Sequence, residues 1–145
     1  PVLPVSVAGD VVAGRPDSAA AGAVQRSIER AVELVRAGTA SAVVTNPISK
    51  ATLIHAGFGF PGHTEFLARL AGLDASDVVM MLAAPELKVV PVTIHIPLKE
   101  VMAALDEGRI VKTLEITARD LTRYFGVARP RIAVTGLNPH AGEDG

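Results

Sequence analysis

Apolar residues Val24, Ile28, Ala31, Val32 and Val35 recur with a period of about 3.6, which predicts a helix capped by Asp17 and Ser18 and ended by Gly38. That stripe needs a sheet beneath it. The β-branched run Ala42-Val43-Val44-Thr45 predicts a buried strand, closed by Asn46-Pro47, after which a helix over Ile48 to Ala56 stops at Gly57. Phe58 to Gly62 is a Gly and Pro loop, and Thr64 precedes a second short helix, Glu65 to Ala71, ended by Gly72. Val78 to Leu82 and Lys88 to Ile96 read as neighbouring strands joined through Ala83-Ala84-Pro85-Glu86. Leu98 to Leu105 and Ile110 to Phe125 read as helices, with Gly108 and Gly126 as punctuation, and Ile132 to Thr135 is the last strand. Helices alternating with strands in this order predict an α/β fold, a sheet covered on both faces in three α/β/α layers. No repeat or linker divides residues 1–145, so they read as one α/β segment.

Charge and composition narrow the classes of function. The 145 residues carry 14 Lys and Arg against 15 Asp and Glu, a net charge of -1 with no broad basic field, which argues against nucleic acid and anionic lipid as partners. Uncharged runs such as Ala51 to Thr64 are broken by Gly, Pro and His and fall short of the roughly 20 apolar residues of a membrane span. With no Cys there is neither a disulfide framework nor a thiolate metal site, so His and carboxylate are the only strong ligands. Pro1 to Gly9 lack the basic and apolar regions of a signal peptide, and the cytoplasm is the expected compartment. The start at Pro1 and the polar, glycine-rich stop at Ala141-Gly142-Glu143-Asp144-Gly145 read as cut ends. The expectation is the central part of a longer, two-domain subunit.

In open α/β sheets ligands collect where strands end. Three such ends carry polar residues here. In Thr45-Asn46-Pro47-Ile48-Ser49-Lys50, a lysine in the first turn of a helix opposes the helix dipole unless an anion lies nearby. Lys50 is therefore either a solvated side chain or one that faces a phosphate or carboxylate. In Phe60-Pro61-Gly62-His63-Thr64-Glu65-Phe66, Thr64 is a plausible N-cap and His63 stands just outside the helix, placed either to hydrogen-bond a substrate or as a plain surface residue. Thr93-Ile94-His95-Ile96-Pro97 and Gly136-Leu137-Asn138-Pro139-His140 each set a His near a Pro that fixes the backbone. His95 and His140 are 45 residues apart, so spacing alone makes neither a metal ligand. His55 has no polar company and reads as structural or exposed.

Taken in order, Val44-Thr45-Asn46-Pro47-Ile48-Ser49-Lys50, Gly62-His63-Thr64-Glu65-Phe66-Leu67-Ala68, Val79-Met80-Met81-Leu82, His95-Ile96-Pro97-Leu98 and Gly136-Leu137-Asn138-Pro139-His140-Ala141-Gly142-Glu143 resemble the 4-hydroxythreonine-4-phosphate dehydrogenase family of pyridoxal phosphate biosynthesis. The resemblance implies a fold similar to that of isocitrate and isopropylmalate dehydrogenases. It implies NAD-dependent oxidation of a secondary alcohol in a small phosphorylated hydroxy acid, then loss of carbon dioxide from the β-keto acid. It further implies a divalent metal (Zn, Mg or Co) held by His95 and His140, substrate contacts from His63 and Thr64, and a homodimer. Lys50 is the candidate catalytic group, with either it or a residue outside this segment accepting the proton, while the residues that bind NAD are not assigned. Two other readings are a related dehydrogenase for four-carbon sugar-acid phosphates or cyclic dihydrodiols, and a non-catalytic phosphate-binding domain.

Overall fold

The computed structural model describes residues 2–143. Its contacts gather into two units, one running up to Val78 and the other starting at Val79. In the first, the Asp17 carboxylate accepts from the Ala19 amide at 2.9 Å and starts a 3-10 turn over Ser18–Ala20 that leads into α1, Ala21–Arg36. A β-region cap residue whose side chain satisfies an orphan amide is the local signal the sequence carried. The apolar stripe of α1 buries Ala21 and Ile28, and the Arg36 guanidinium at its end donates to the Leu70 carbonyl at 3.0 Å.

Two short helices complete this unit. Helix α2 spans Lys50–His55, with Ser49 as cap residue and the Ser49 carbonyl accepting from the Leu53 amide. It starts two residues later than the sequence predicts, because Ser49 has extended backbone and ends the loop that Pro47 belongs to. Helix α3 spans His63–Ala71, closed by Gly72 in the left-handed region at φ 76. Ile28, Leu53, Phe58 and Phe66 form the core with Ala21, and Val24, Ile48, Phe60, Leu67 and Leu70 pack around them.

Three of the four Phe residues meet in that core: Phe58 and Phe66 lie edge to face with centroids 5.1 Å apart, and Phe60 is 5.4 Å from Phe58 and 5.1 Å from Phe66. Each aromatic pair contributes about 0.5–1.5 kcal/mol beyond the area it buries. This cluster folds the loop 57–62 back on α3 and fixes the position of Gly62.

The second unit contains a hairpin and two helices. Strands β1, Leu82–Ala83, and β2, Lys88–Val89, pair antiparallel with Leu82 opposite Val89 and Ala83 opposite Lys88, and the connection runs through residues 84–87 where the sequence predicts Ala83-Ala84-Pro85-Glu86. Helix α4 is Leu98–Ala104 and α5 is Glu107–Phe125. The longer helix starts three residues earlier than expected, because the Asp106 carboxylate caps it by accepting from the Arg109 amide at 2.8 Å. It ends at Gly126, φ 69, and buries Ile116, Thr117 and Leu121.

The strands are much shorter than the sequence pattern predicts. Ala42 to Thr45 and Ile132 to Thr135 form no strand, and Val44 and Val134 are 96% and 59% exposed. A strand needs a neighbour for its amides and carbonyls, and no partner stands beside these segments among the described residues. No helix among the described residues is long and apolar enough to cross a membrane.

Candidate active site

The residues singled out in the first unit come together around Gly62. Lys50 is the first residue of α2, and the loop held by the three Phe rings brings Gly62 up to its side chain. A Cβ placed on Gly62 would stand 3.4 Å from both Cε and Nζ of Lys50 and 3.5 Å from Oε2 of Glu65. The Lys50 and Glu65 side chains therefore both flank Gly62 at the start of α3. Gly62 is buried with extended backbone, φ -173, a conformation open to any residue.

His63 is the first residue of α3, so the expectation that it stands outside the helix behind a Thr64 cap is corrected: Gly62 occupies the cap position. Glycine with extended backbone suits that position because it needs no side chain to enter the turn. Thr64 follows in the first turn, half-buried. Nε2 of His63 is shielded from solvent and has no hydrogen-bond partner among the described residues. A buried nitrogen left unpaired costs about 1–3 kcal/mol, so the position is tolerated only where something else repays it. His55 is exposed, with Nδ1 2.7 Å from the Ala51 carbonyl, in keeping with a structural reading.

A cavity of about 350 Å³ opens in the same unit between Val11, Val12, Ala21, Ile48, Ser49 and Leu53. Neither Lys50 nor His63 nor Thr64 lines it, so it is distinct from the Gly62 cluster.

The two remaining histidines belong to the second unit. His95 is exposed and has φ 57, the one non-glycine residue in the left-handed region among the described residues. Histidine enters that region more readily than most residues, at a cost of about 1–2 kcal/mol. His140 sits in a tight turn: its amide donates to Asn138 Oδ1 at 2.8 Å, and its Nδ1–H donates to Glu143 Oε1 at 2.6 Å. Gly136 makes that turn possible, since a Cβ there would press to 3.1 Å on the Ala141 side chain and 3.2 Å on the Asn138 carbonyl. With Nδ1 engaged by Glu143, Nε2 is the ring nitrogen of His140 left for a ligand.

No group of three or more His, Asp or Glu side chains converges on a metal-sized space among the described residues. Two carboxylates escaped the reading of single residues, Glu65 and Glu143. The signal for Glu143 was its spacing of three from His140 within a glycine-containing turn. For Glu65 only the folded loop reveals the neighbour.

Residues 1–145 match the sequence model of the family described as Pyridoxal phosphate biosynthetic protein PdxA. The chain belongs to the PdxA family. It is 55% identical over 148 residues to a 4-hydroxythreonine-4-phosphate dehydrogenase of Bradyrhizobium diazoefficiens, an alignment covering 99% of the chain and 43% of that protein. The crystal structure of the Klebsiella pneumoniae 4-hydroxythreonine-4-phosphate dehydrogenase is similar at TM-score 0.82 and 40% identity, covering 90% of this chain and 39% of that one. A terephthalate 1,2-cis-dihydrodiol dehydrogenase of Burkholderia xenovorans is similar at TM-score 0.66 and 29% identity, covering 99% and 46%.

The fold class read from the sequence agrees with these likenesses: PdxA proteins have a mixed α/β fold of the isocitrate dehydrogenase kind. The PdxA chain described here spans under half the length of the relatives it matches.

Proposed function

We propose that this PdxA chain is part of an NAD-dependent dehydrogenase that oxidises 4-phosphohydroxy-L-threonine and releases carbon dioxide, a step in pyridoxal phosphate biosynthesis. The observation that carries the reading is the convergence of Lys50 with the Gly62-His63-Thr64 turn, two motifs separated in sequence that meet at Gly62. His63 and Thr64 hold the substrate. The unpartnered Nε2 of His63 supports this, since a substrate oxygen gives that nitrogen the hydrogen bond it lacks. Lys50, beside Gly62, is assigned the proton exchange with the reacting hydroxyl.

His140 and His95 suit a divalent metal. Neutral imidazoles leave the ion its full positive charge, and the Glu143 carboxylate behind His140 Nδ1 is the usual companion of a ligating histidine. When bound, the metal supplies a Lewis acid for the alcohol oxygen, and the nicotinamide cofactor supplies the hydride acceptor. The residues of this chain hold and orient: His140 with its ring held through Nδ1 by Glu143, His95 on a left-handed backbone, and His63 and Thr64 at the start of α3. Residues 1–145, whose contacts form two units, belong on this reading to the middle of a two-domain subunit. A cytoplasmic homodimer is the expected setting, and the exposed apolar Leu98 and Met102, one turn apart on α4, support a covered surface there.

Oxidation of a cyclic dihydrodiol is the second reading, supported by the likeness at 29% identity. The higher identity to 4-hydroxythreonine-4-phosphate dehydrogenases favours the first. The test is turnover by the full-length protein, with metal and NAD supplied, on both substrates. The phosphorylated substrate should be consumed and the dihydrodiol should not. In the same assay His140→Ala should lower turnover by about 100-fold or more while NAD affinity moves by less than about threefold, because the metal acts on the reacting oxygen. Wild-type turnover in His140→Ala sinks the metal assignment.

A further inference from the structure

We infer that Glu143 is the positioning residue of His140: by engaging Nδ1 it makes Nε2 the ring nitrogen that takes the divalent metal, a role that rests on the metal proposed there.

A histidine can offer a metal either ring nitrogen, and the hydrogen bond made by one decides which of the two is left to bind. In His140 that choice is made inside a single turn. Nδ1 lies 2.6 Å from Oε1 of Glu143, and an ionised carboxylate only accepts, so the proton belongs on Nδ1. Three further hydrogen bonds hold the turn that sets this pair. Asn138 Oδ1 accepts from the His140 amide at 2.8 Å, the Asn138 carbonyl from the Ala141 amide at 3.1 Å, and the His140 carbonyl from the Glu143 amide at 3.3 Å. Gly142, at φ 94, takes the left-handed step between the two partners. Each of these bonds lies within residues 138–143, so the orientation of the ring is built into the turn.

Stability does not account for the pair. Its side chains are 76% and 67% exposed, and an exposed pair of this kind contributes little to folding because water screens it. What the carboxylate does change is the imidazole. It decides which nitrogen is free, and its negative charge makes that nitrogen a stronger base toward a cation.

Cobalt(II) titrated into the metal-free full-length protein, with circular dichroism to check the fold, gives the affinities of wild type, Glu143→Ala, Glu143→Gln and His140→Ala. NMR of isotope-labelled histidine rings in the same metal-free proteins, at a pH where imidazole is neutral, shows which nitrogen of His140 carries the proton. The signals missing from His140→Ala assign that ring. Glu143→Ala should move the proton from Nδ1 towards Nε2 and weaken cobalt binding by about 10–100-fold. Glu143→Gln, whose amide oxygen still accepts from Nδ1–H but carries no charge, should keep the proton on Nδ1 and weaken binding by only about threefold. A proton that stays on Nδ1 in Glu143→Ala overturns the inference, whatever the affinities. Wild-type cobalt affinity in Glu143→Ala beside weakened binding in His140→Ala also overturns it, while the metal at His140 stands. Wild-type affinity in His140→Ala removes the metal from His140, and the role of Glu143 falls with it.

Discussion

His95 is the residue whose backbone departs furthest from what its side chain prefers. In a turn with φ 57, glycine would sit without strain, and replacing the histidine relieves about 1 kcal/mol while returning a similar amount as unfolded-state entropy. His95→Gly should therefore leave the stability of the full-length protein within about 0.5 kcal/mol in a urea melt. Metal binding followed by titration should weaken strongly in the same variant. A variant destabilised by more than about 2 kcal/mol would show that the ring is there for packing. Nothing in the string Thr93-Ile94-His95-Ile96-Pro97 discloses the left-handed backbone. The role of Glu143 was closer to legible, because a carboxylate three residues beyond His140 in a glycine-containing turn is within reach of the ring.

Among elements, the Phe cluster is what joins the core to the candidate site. Phe66 is 5% exposed and touches both Phe58 and Phe60, so Phe66→Ala should cost about 3–5 kcal/mol. The loop that carries Gly62 should loosen with it. Thermal denaturation checks the first effect, and faster amide exchange over residues 57–62 than over α5 checks the second.

The helices were legible in the sequence because their signals are local. Asp17 and Asp106 cap by reaching amides two or three residues away, and Gly72 and Gly126 close turns with positive φ. Strands were less so, since pairing depends on chain far away in sequence: the apolar run at Ala42 to Thr45 looks buried and is instead unpaired. Lys50 and His63 were each legible as polar residues at an element's start. Their meeting was not, because it depends on aromatic contacts that fold one loop back.

Over the whole chain, apolar surface is left open in both units. Val44 is 96% exposed in the first, and Leu98 and Met102 are 86% and 70% exposed in the second. The relatives of this chain are more than twice its length. Residues 1–145 expressed alone should bind the hydrophobic dye ANS strongly and show no dehydrogenase turnover, whereas the full-length protein should bind little dye and be active. Equal dye binding by the two would mean that these residues stay open in the larger protein and face a different partner.

The packing of Phe60 against its two neighbours has a practical side. The chain contains no Trp and one Tyr, and is almost dark under excitation at the red edge of protein absorbance. Phe60 is half-buried between two rings, so an indole placed there would act as a lone fluorophore reporting directly on the motion of the loop beside Lys50.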